Sequence, residues 1–442
     1  MLDALGAGRV PAVRVLGTGS LPSIYRVSDL AVASIAAAGA SLAGLIGDPG
    51  EIVVDRALAA HWFHLSIRPD GWQPPSLWDA VAGDYQSADG WIRLHTNAPH
   101  HRAAALRVLG VDGDGADRAD VAAAVARWRA DELESAVVDA GGAAAAMRSI
   151  EQWREHPQGR AVRTEPLVGH ELTEHGTEPF ALPGLQSDRP LAGVRVLDLT
   201  RVLAGPVATR VLAGWGADVL RIDPPDWDEP GVVPEMLLGK RTARLDLTVD
   251  VDRARFADLL AGADVLVHGY RADALELLGF GSDVRGRIRP GLVDVTLDAY
   301  GWSGPWSRRR GFDSLVQMSC GIADEGMRTL GRDRPTPLPV QALDHATGYL
   351  MAACAITGLA DRRSGGRGSR WRASLARTAE LLIEGGRRVD EPDVADDAAT
   401  YDAIEQTSWG PARRLCPPLD VPGAPLRWDR PARALGSDPA AW

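Results

Sequence analysis

Lysine is almost missing from this chain. Of 48 cationic side chains in 442 residues, 47 are arginine and one, Lys240, is lysine. A compact ammonium kept once among planar guanidinium groups suits a point charge on a phosphate. Cysteine is scarce too. Cys320, Cys354 and Cys416 follow no disulfide or metal-ligand spacing, which excludes a disulfide framework and fits a reducing, cytoplasmic setting. Positive charge is in deficit: the formal net charge is −11, which argues against nucleic acid or an anionic membrane as partner. The most apolar run, residues 30–46, is rich in alanine and glycine and short for a membrane span, and residues 1–13 lack the basic-then-apolar pattern of a secretory leader. His100-His101-Arg102 has no carboxylate at ligand spacing, so no metal is expected.

What is present begins with residues 193–225, GVRVLDLTRVLAGPVATRVLAGWGADVLRIDPP. Residues 194–199 and 219–222 read as buried strands. Between them lies a helix over 207–215, opened by the Gly205-Pro206 turn and stopped by Gly216. This is a βαβ unit with a ligand crevice at the carboxyl ends of its strands. A nicotinamide site would need G-x-G-x-x-G, but the turn 200–206 holds one glycine, so a dinucleotide is not the expected occupant. Further strands at 265–268 and 292–297 alternate with helices. They predict a doubly wound, Rossmann-like α/β sheet.

Two segments share a pattern: Asp, small-residue helix, Gly-rich turn, strand, Ala-rich helix. One starts at Asp29 and the other at Asp344, which suggests a degenerate repeat. Residues 87–97, SADGWIRLHTN, and the helices after them predict a small α+β module. The expected organisation is an N-terminal part (1–185), a Rossmann-like domain with the Asp344 helix (186–382), and a linker and Pro/Trp-containing wrapping tail (383–442). Residues 387–400 read as a mobile acidic linker.

Together, residues 193–225, the Gly239-Lys240-Arg241 turn, the loop YGWSGP at 300–305 and the Asp344 helix resemble the family III CoA-transferases. That group includes formyl-CoA and carnitine CoA-transferases and α-methylacyl-CoA racemases. The resemblance covers about 190–382. More weakly, residues 27–162 resemble the family's small distal domain, here placed first, so the domain order looks rearranged. The family's subunits interlock, which implies a homodimer or an internal pseudo-dimer.

The resemblance implies coenzyme A or an acyl-CoA as substrate rather than a bound cofactor, with a small carboxylic acid as acceptor. Arg201, Val202, Leu203 and Ala204 would meet its adenosine and phosphates. Lys240 and Arg241 would sit at a phosphate, and Gly269, Tyr270 and Arg271 beside the adenine. Asp344 would be the nucleophile, ionised at a helix N-terminus and passing through an anhydride and an aspartyl-CoA thioester. From pattern alone Asp344 reads equally as a helix cap. Three departures stand out. Leu277 and Asp298 replace expected cations, and Gly311-Phe312-Asp313 stands where the racemases carry G-H-D. Phenylalanine cannot carry a proton, which favours the transferase over a racemase; a catalytically degenerate acyl-CoA-binding paralogue is the third reading. Arg308, Arg309 and Arg310 could steer an anionic substrate or form a solvated face.

Overall fold

A computed structural model describes residues 1–6, 11–47, 50–113, 115–176, 180–271, 273–388, 391–395 and 400–442. Its centre is a seven-stranded sheet. In chain order the strands are β1 (Val168–Gly176), β2 (Arg195–Leu199), β3 (Asp218–Asp223), β4 (Arg241–Arg244), β5 (Val265–His268), β6 (Val293–Asp298) and β7 (Arg367–Ser374). Across the sheet they run β4-β3-β2-β5-β6-β7-β1, all parallel except the edge strand β1. β5 reads as a near-continuous Val/Leu run because both faces are covered, while Asp198 in β2 and Asp294, Thr296 and Asp298 in β6 interrupt theirs. The winding reverses between β2 and β5, and a doubly wound sheet opens a crevice at such a switch point.

Seven helices matter to the argument: α1 (Val27–Ile46), α2 (Arg56–Trp62), α3 (Pro99–Leu109), α4 (Ala204–Gly214), α5 (Asp313–Ser319), α6 (Ala342–Gly365) and α7 (Leu375–Glu384). α6 is buried along most of its length, packed on α1, α4 and the sheet. Its small residues permit this. A Cβ on Gly348 would lie 2.4 Å from the Ala204 carbonyl oxygen and 2.7 Å from Val207 Cβ, so only glycine lets α6 approach α4. α1 is 20 residues long and apolar enough to cross a membrane by length and composition, longer than the run read from sequence. In the fold it lies mostly buried, against α6.

The repeat is visible as architecture. α1, the strand Ile52–Asp55 and α2 follow the same order as α6, β7 and α7. The strand of the first copy joins a separate three-stranded sheet with Val13–Leu16 and Leu419–Asp420.

The range 1–185 is not one unit. Residues 81–146 form their own core, in which Val81, Tyr85, Ile92, Leu106, Val121, Leu133 and Val137 gather beside the antiparallel sheet Gly83–Gln86, Trp91–Leu94, Ala144–Ala146. Most of α1 and Phe63 instead share the main core with the central sheet and α6. The tail carries strands of its own. Tyr401–Thr407 and Gly410–Leu415 pair with each other, and the latter with Ile67–Pro69. Beyond them Trp428 stacks on Trp62 at 5.4 Å and donates its indole N–H to the Arg210 carbonyl at 2.8 Å. Residues 389–390 and 396–399 of the expected linker lie outside the described residues.

Candidate active site

At the carboxyl end of β2 the chain makes a tight loop, Thr200–Leu203, before α4. Val202 has φ 64°, the sole positive value outside glycine among the described residues. For a β-branched residue this is strained backbone of the kind found at functional loops. Glu229 holds the turn by accepting the Val202 N–H at 3.0 Å. A Cβ on Gly205 would fall 2.2 Å from Thr200 Cγ2, so the loop and helix start can pack only around glycine.

Asp198, fully buried at the end of β2, ties this region together. It accepts from the Thr200 N–H and hydroxyl, the Thr209 hydroxyl and the Lys240 ammonium, the last at 3.1 Å. Lys240 also donates to the Pro206 carbonyl at 2.9 Å. Burial pushes the Lys240 amine down to about 8, against the pull of Asp198. Lys240 is fully buried and does not face the crevice. The phosphate contact expected of it is therefore corrected: it is a buried counter-ion that fastens the loop. Arg241 is likewise elsewhere, bonded to Asp218 at 2.7 and 3.0 Å and to the Ala441 carbonyl.

The crevice between β2 and β5 is a cavity of about 470 Å³. It brings together Arg201, Val202, Ala204, Gly269, Tyr270, Arg271 and Asp344, from loops and helix starts up to 143 positions apart. Leu203 faces a smaller adjoining chamber. The Arg201 guanidinium lies between the rings of Trp227, at 4.1 Å, and Tyr270, at 4.9 Å. Arg271 and Arg310 stand close enough for Arg271 to help hold the Arg310 pKa below its usual range, after the larger effect of burial. Arg309 also lines the cavity but is engaged elsewhere, paired with Glu134 at 2.9 Å and stacked on Trp306 at 3.9 Å. Asp298 caps the turn after β6 by accepting the Tyr300 and Gly301 N–H groups, and burial raises its pKa to about 8. Leu277 is 74% exposed and does not line the cavity.

Four contributors were not legible in the sequence. Trp227 completes the aromatic sandwich. His100 and His101 reach the cavity from α3 of the small unit, and both ring nitrogens of buried His101 lack a protein partner. Phe312 forms part of the wall and stacks on His95 at 3.7 Å.

Asp344 sits at the third position of α6, 7% exposed, lining both the cavity and the smaller chamber. It is not the cap. Asp313 takes that place, accepting the N–H groups of Leu343 at 2.9 Å and Asp344 at 3.0 Å. The Asp344 carboxylate has no hydrogen bond or ion pair from a described side chain. Burial, and then the neighbouring Asp313, drive its pKa well above the usual carboxylate range; Asp313 itself is raised to about 6, chiefly by burial. The expectation of a dipole-stabilised, ionised Asp344 is corrected here, because another acid occupies the helix N-terminus. Asp29 occupies the same third position in α1, but Arg56 at 2.6 Å and Arg26 at 2.5 Å neutralise it. Against the effect of burial, they hold its pKa low. No cluster of potential metal ligands occurs among the described residues.

Residues 191–386 match the family model "CoA-transferase family III". An acyl-CoA transferase of Gibberella moniliformis is 30% identical over 356 residues, covering 75% of this chain and 61% of that protein. The acetyl-coenzyme A transferase nodX of Hypoxylon pulicicidum is 35% identical over 221 residues, covering 49% and 37%. Among solved structures, Rv3272 of Mycobacterium tuberculosis aligns with a TM-score of 0.40 at 28% identity, over 44% of this chain and 57% of that one. The chain thus spans less than two thirds of the length of these relatives.

Proposed function

This chain carries a CoA-transferase family III region at residues 191–386, and from that premise we propose that it moves CoA from an acyl-CoA to a carboxylic acid, with Asp344 as the nucleophile. The observation that carries this reading is an unpaired carboxylate, Asp344, in the wall of a cavity whose other residues include four arginines, Arg201, Arg271, Arg309 and Arg310, and an aromatic sandwich. Trp227, Arg201 and Tyr270 form a platform suited to a planar adenine. Arg271 and Arg310 replace Lys240 as the groups that meet phosphate.

The chemistry is covalent. The Asp344 carboxylate attacks the thioester carbonyl carbon, the C–S bond breaks, and a mixed anhydride and CoA thiolate result. Thiolate attacks the aspartyl carbonyl, expelling the donor acid and leaving an aspartyl-CoA thioester. The acceptor carboxylate attacks that carbonyl and releases thiolate again. Thiolate then attacks the acceptor's carbonyl, forming the new acyl-CoA and freeing Asp344. A carboxylate is a weak nucleophile, and a buried one without a counter-ion is held in a more reactive state than one in water.

A racemase would need a second proton-carrying group near the α-carbon. Phe312 supplies none. His95 and His101 border the two spaces, but burial pushes both down to about 3, which leaves each a weak base and neither an imidazolium acid at neutral pH. Degenerate binding without chemistry fits less well, since Asp344, unlike Asp29, has no cation on it.

The test is intact-mass spectrometry after incubation with acetyl-CoA and quenching. A covalent CoA adduct should form on the wild type and vanish in Asp344→Ala, while CoA binding measured by calorimetry stays within about threefold. Binding of CoA without any adduct on the wild type would sink the proposal, and deuterium uptake at the α-carbon would revive the racemase.

A further inference from the structure

Asp344 faces two spaces. Beside it lies a smaller, partly open chamber of about 60 Å³ that shares Val202, Phe312 and Asp344 with the main cavity. Its wall is built by Leu65, Leu77, Trp78, His95, Leu203 and Phe312. Leu65, Leu77 and Trp78 come from the stretch that joins α2 to the small unit, and His95 from the small unit itself. Phe312 and His95 stack in parallel at 3.7 Å, and Trp78 meets His95 edge-on at 5.7 Å, so the aromatic wall is interlocked. By the volume one water-sized probe needs, the chamber has room for on the order of four to six non-hydrogen atoms.

Its charge is as informative as its size. Among the described residues, neither lysine nor arginine lines it. His95 is neutral because it is buried, and His64 is held below its usual pKa first by burial and then by Arg68. Arg93 stacks on the Trp78 ring at 4.8 Å and pairs with Asp84 at 2.7 Å, outside the chamber. The ionisable groups at the boundary, apart from the two histidines, are acids: Glu235, Asp313 and Asp344. Glu235 is already enclosed by Arg210, Arg414 and the Ser66 hydroxyl, with its pKa pulled to about 2. A ligand carboxylate placed here would meet the uncharged Asn97, Ser314 and Gln341, find no cation among the described lining residues, and lie beside Asp313. An uncharged chain would lose nothing by comparison.

We infer that this chamber receives the acyl group, and that it selects short, uncharged acyl groups of about two to five carbons against dicarboxylic and long-chain ones. The inference rests on the CoA-transferase reading. The chamber's walls set the preference: Trp78 limits length, and the all-acid boundary excludes a distal carboxylate.

The experiment measures CoA adduct formation on residue 344 and kcat/KM for acetyl-, butyryl-, succinyl- and palmitoyl-CoA with the full chain. Acetyl- or butyryl-CoA should exceed succinyl- and palmitoyl-CoA by about 100-fold. Trp78→Ala should raise the rate with palmitoyl-CoA about tenfold relative to butyryl-CoA. Leu77→Arg, which adds a cation to the wall, should shift preference toward succinyl-CoA. Circular dichroism melting identifies a variant that fails to fold, and the wild-type substrate profile stands independently of both variants. Equal rates for succinyl- or palmitoyl-CoA and butyryl-CoA overturn the inference and leave the transferase reading intact. Absence of adduct and turnover with all four overturns both.

Discussion

Asp344 and Asp313 show how one residue's chemistry is set by another's position. Asp313 takes the two N–H groups at the start of α6, so the charge-stabilising end of the helix serves Asp313 and not its neighbour. Asp344 is left buried and facing like charge. Only the ionised form attacks, and raising the pKa lowers the ionised fraction below that pKa. Activity should therefore climb with pH through a limb lying above the ordinary carboxylate range. In Asp313→Asn the like charge is gone while an acceptor oxygen for the helix N–H groups remains. The acid limb of kcat/KM should then move down by about one pH unit. A stopped-flow pH profile of both proteins checks this, and coincident limbs would refute the role given to Asp313. None of this was legible in the sequence. An aspartate opening an apolar helix reads as a cap, and nothing local reveals that a residue 31 positions earlier takes that duty.

At the level of elements, reading succeeded where the signal was local. The strands β2, β3, β5 and β6 were found to within about a residue, because buried parallel strands are short apolar runs bounded by turns. β7 lacks that signal, because Arg367, Arg370 and Arg372 interrupt its apolar pattern. Lys240 was misassigned for the opposite reason: its partner lies 42 residues away and on another strand. Its importance was recognised and its object was not. It joins β2, the start of α4 and the turn before β4 through a single buried ion pair. Replacing one member of such a pair strands the other charge. Lys240→Met should cost about 3–5 kcal/mol, read as a lowered urea midpoint with unchanged slope. Loss of CoA affinity at full stability would restore the phosphate role.

Across the whole molecule, the cavity belongs to no single unit. The central sheet supplies the floor, α6 the Asp344 carboxylate, and α3 of the small unit two histidines. The chamber behind it draws on the stretch between α2 and the small unit. Such convergence is invisible to a reading that proceeds along the chain, and Trp227, His101 and Trp78 could not be assigned before the loops were seen together. The repeat was legible because both copies keep the order helix, strand, helix. Its consequence was not: Asp344 has no cation on it among the described residues, and Asp29 is neutralised by Arg26 and Arg56. The tail closes the assembly through Trp428, which fills the space against Trp62 and Gly239.

The near-absence of lysine has a practical corollary. With its only ε-amine fully buried, the folded chain offers acylating and cross-linking reagents no side-chain amine. Modification at position 240 therefore reports opening of the core itself. Pulse labelling with an amine-reactive ester across a denaturant series should give a residue-240 peptide signal that follows the unfolding transition and is blank before it. Labelling under native conditions would contradict the burial on which the ion pair depends.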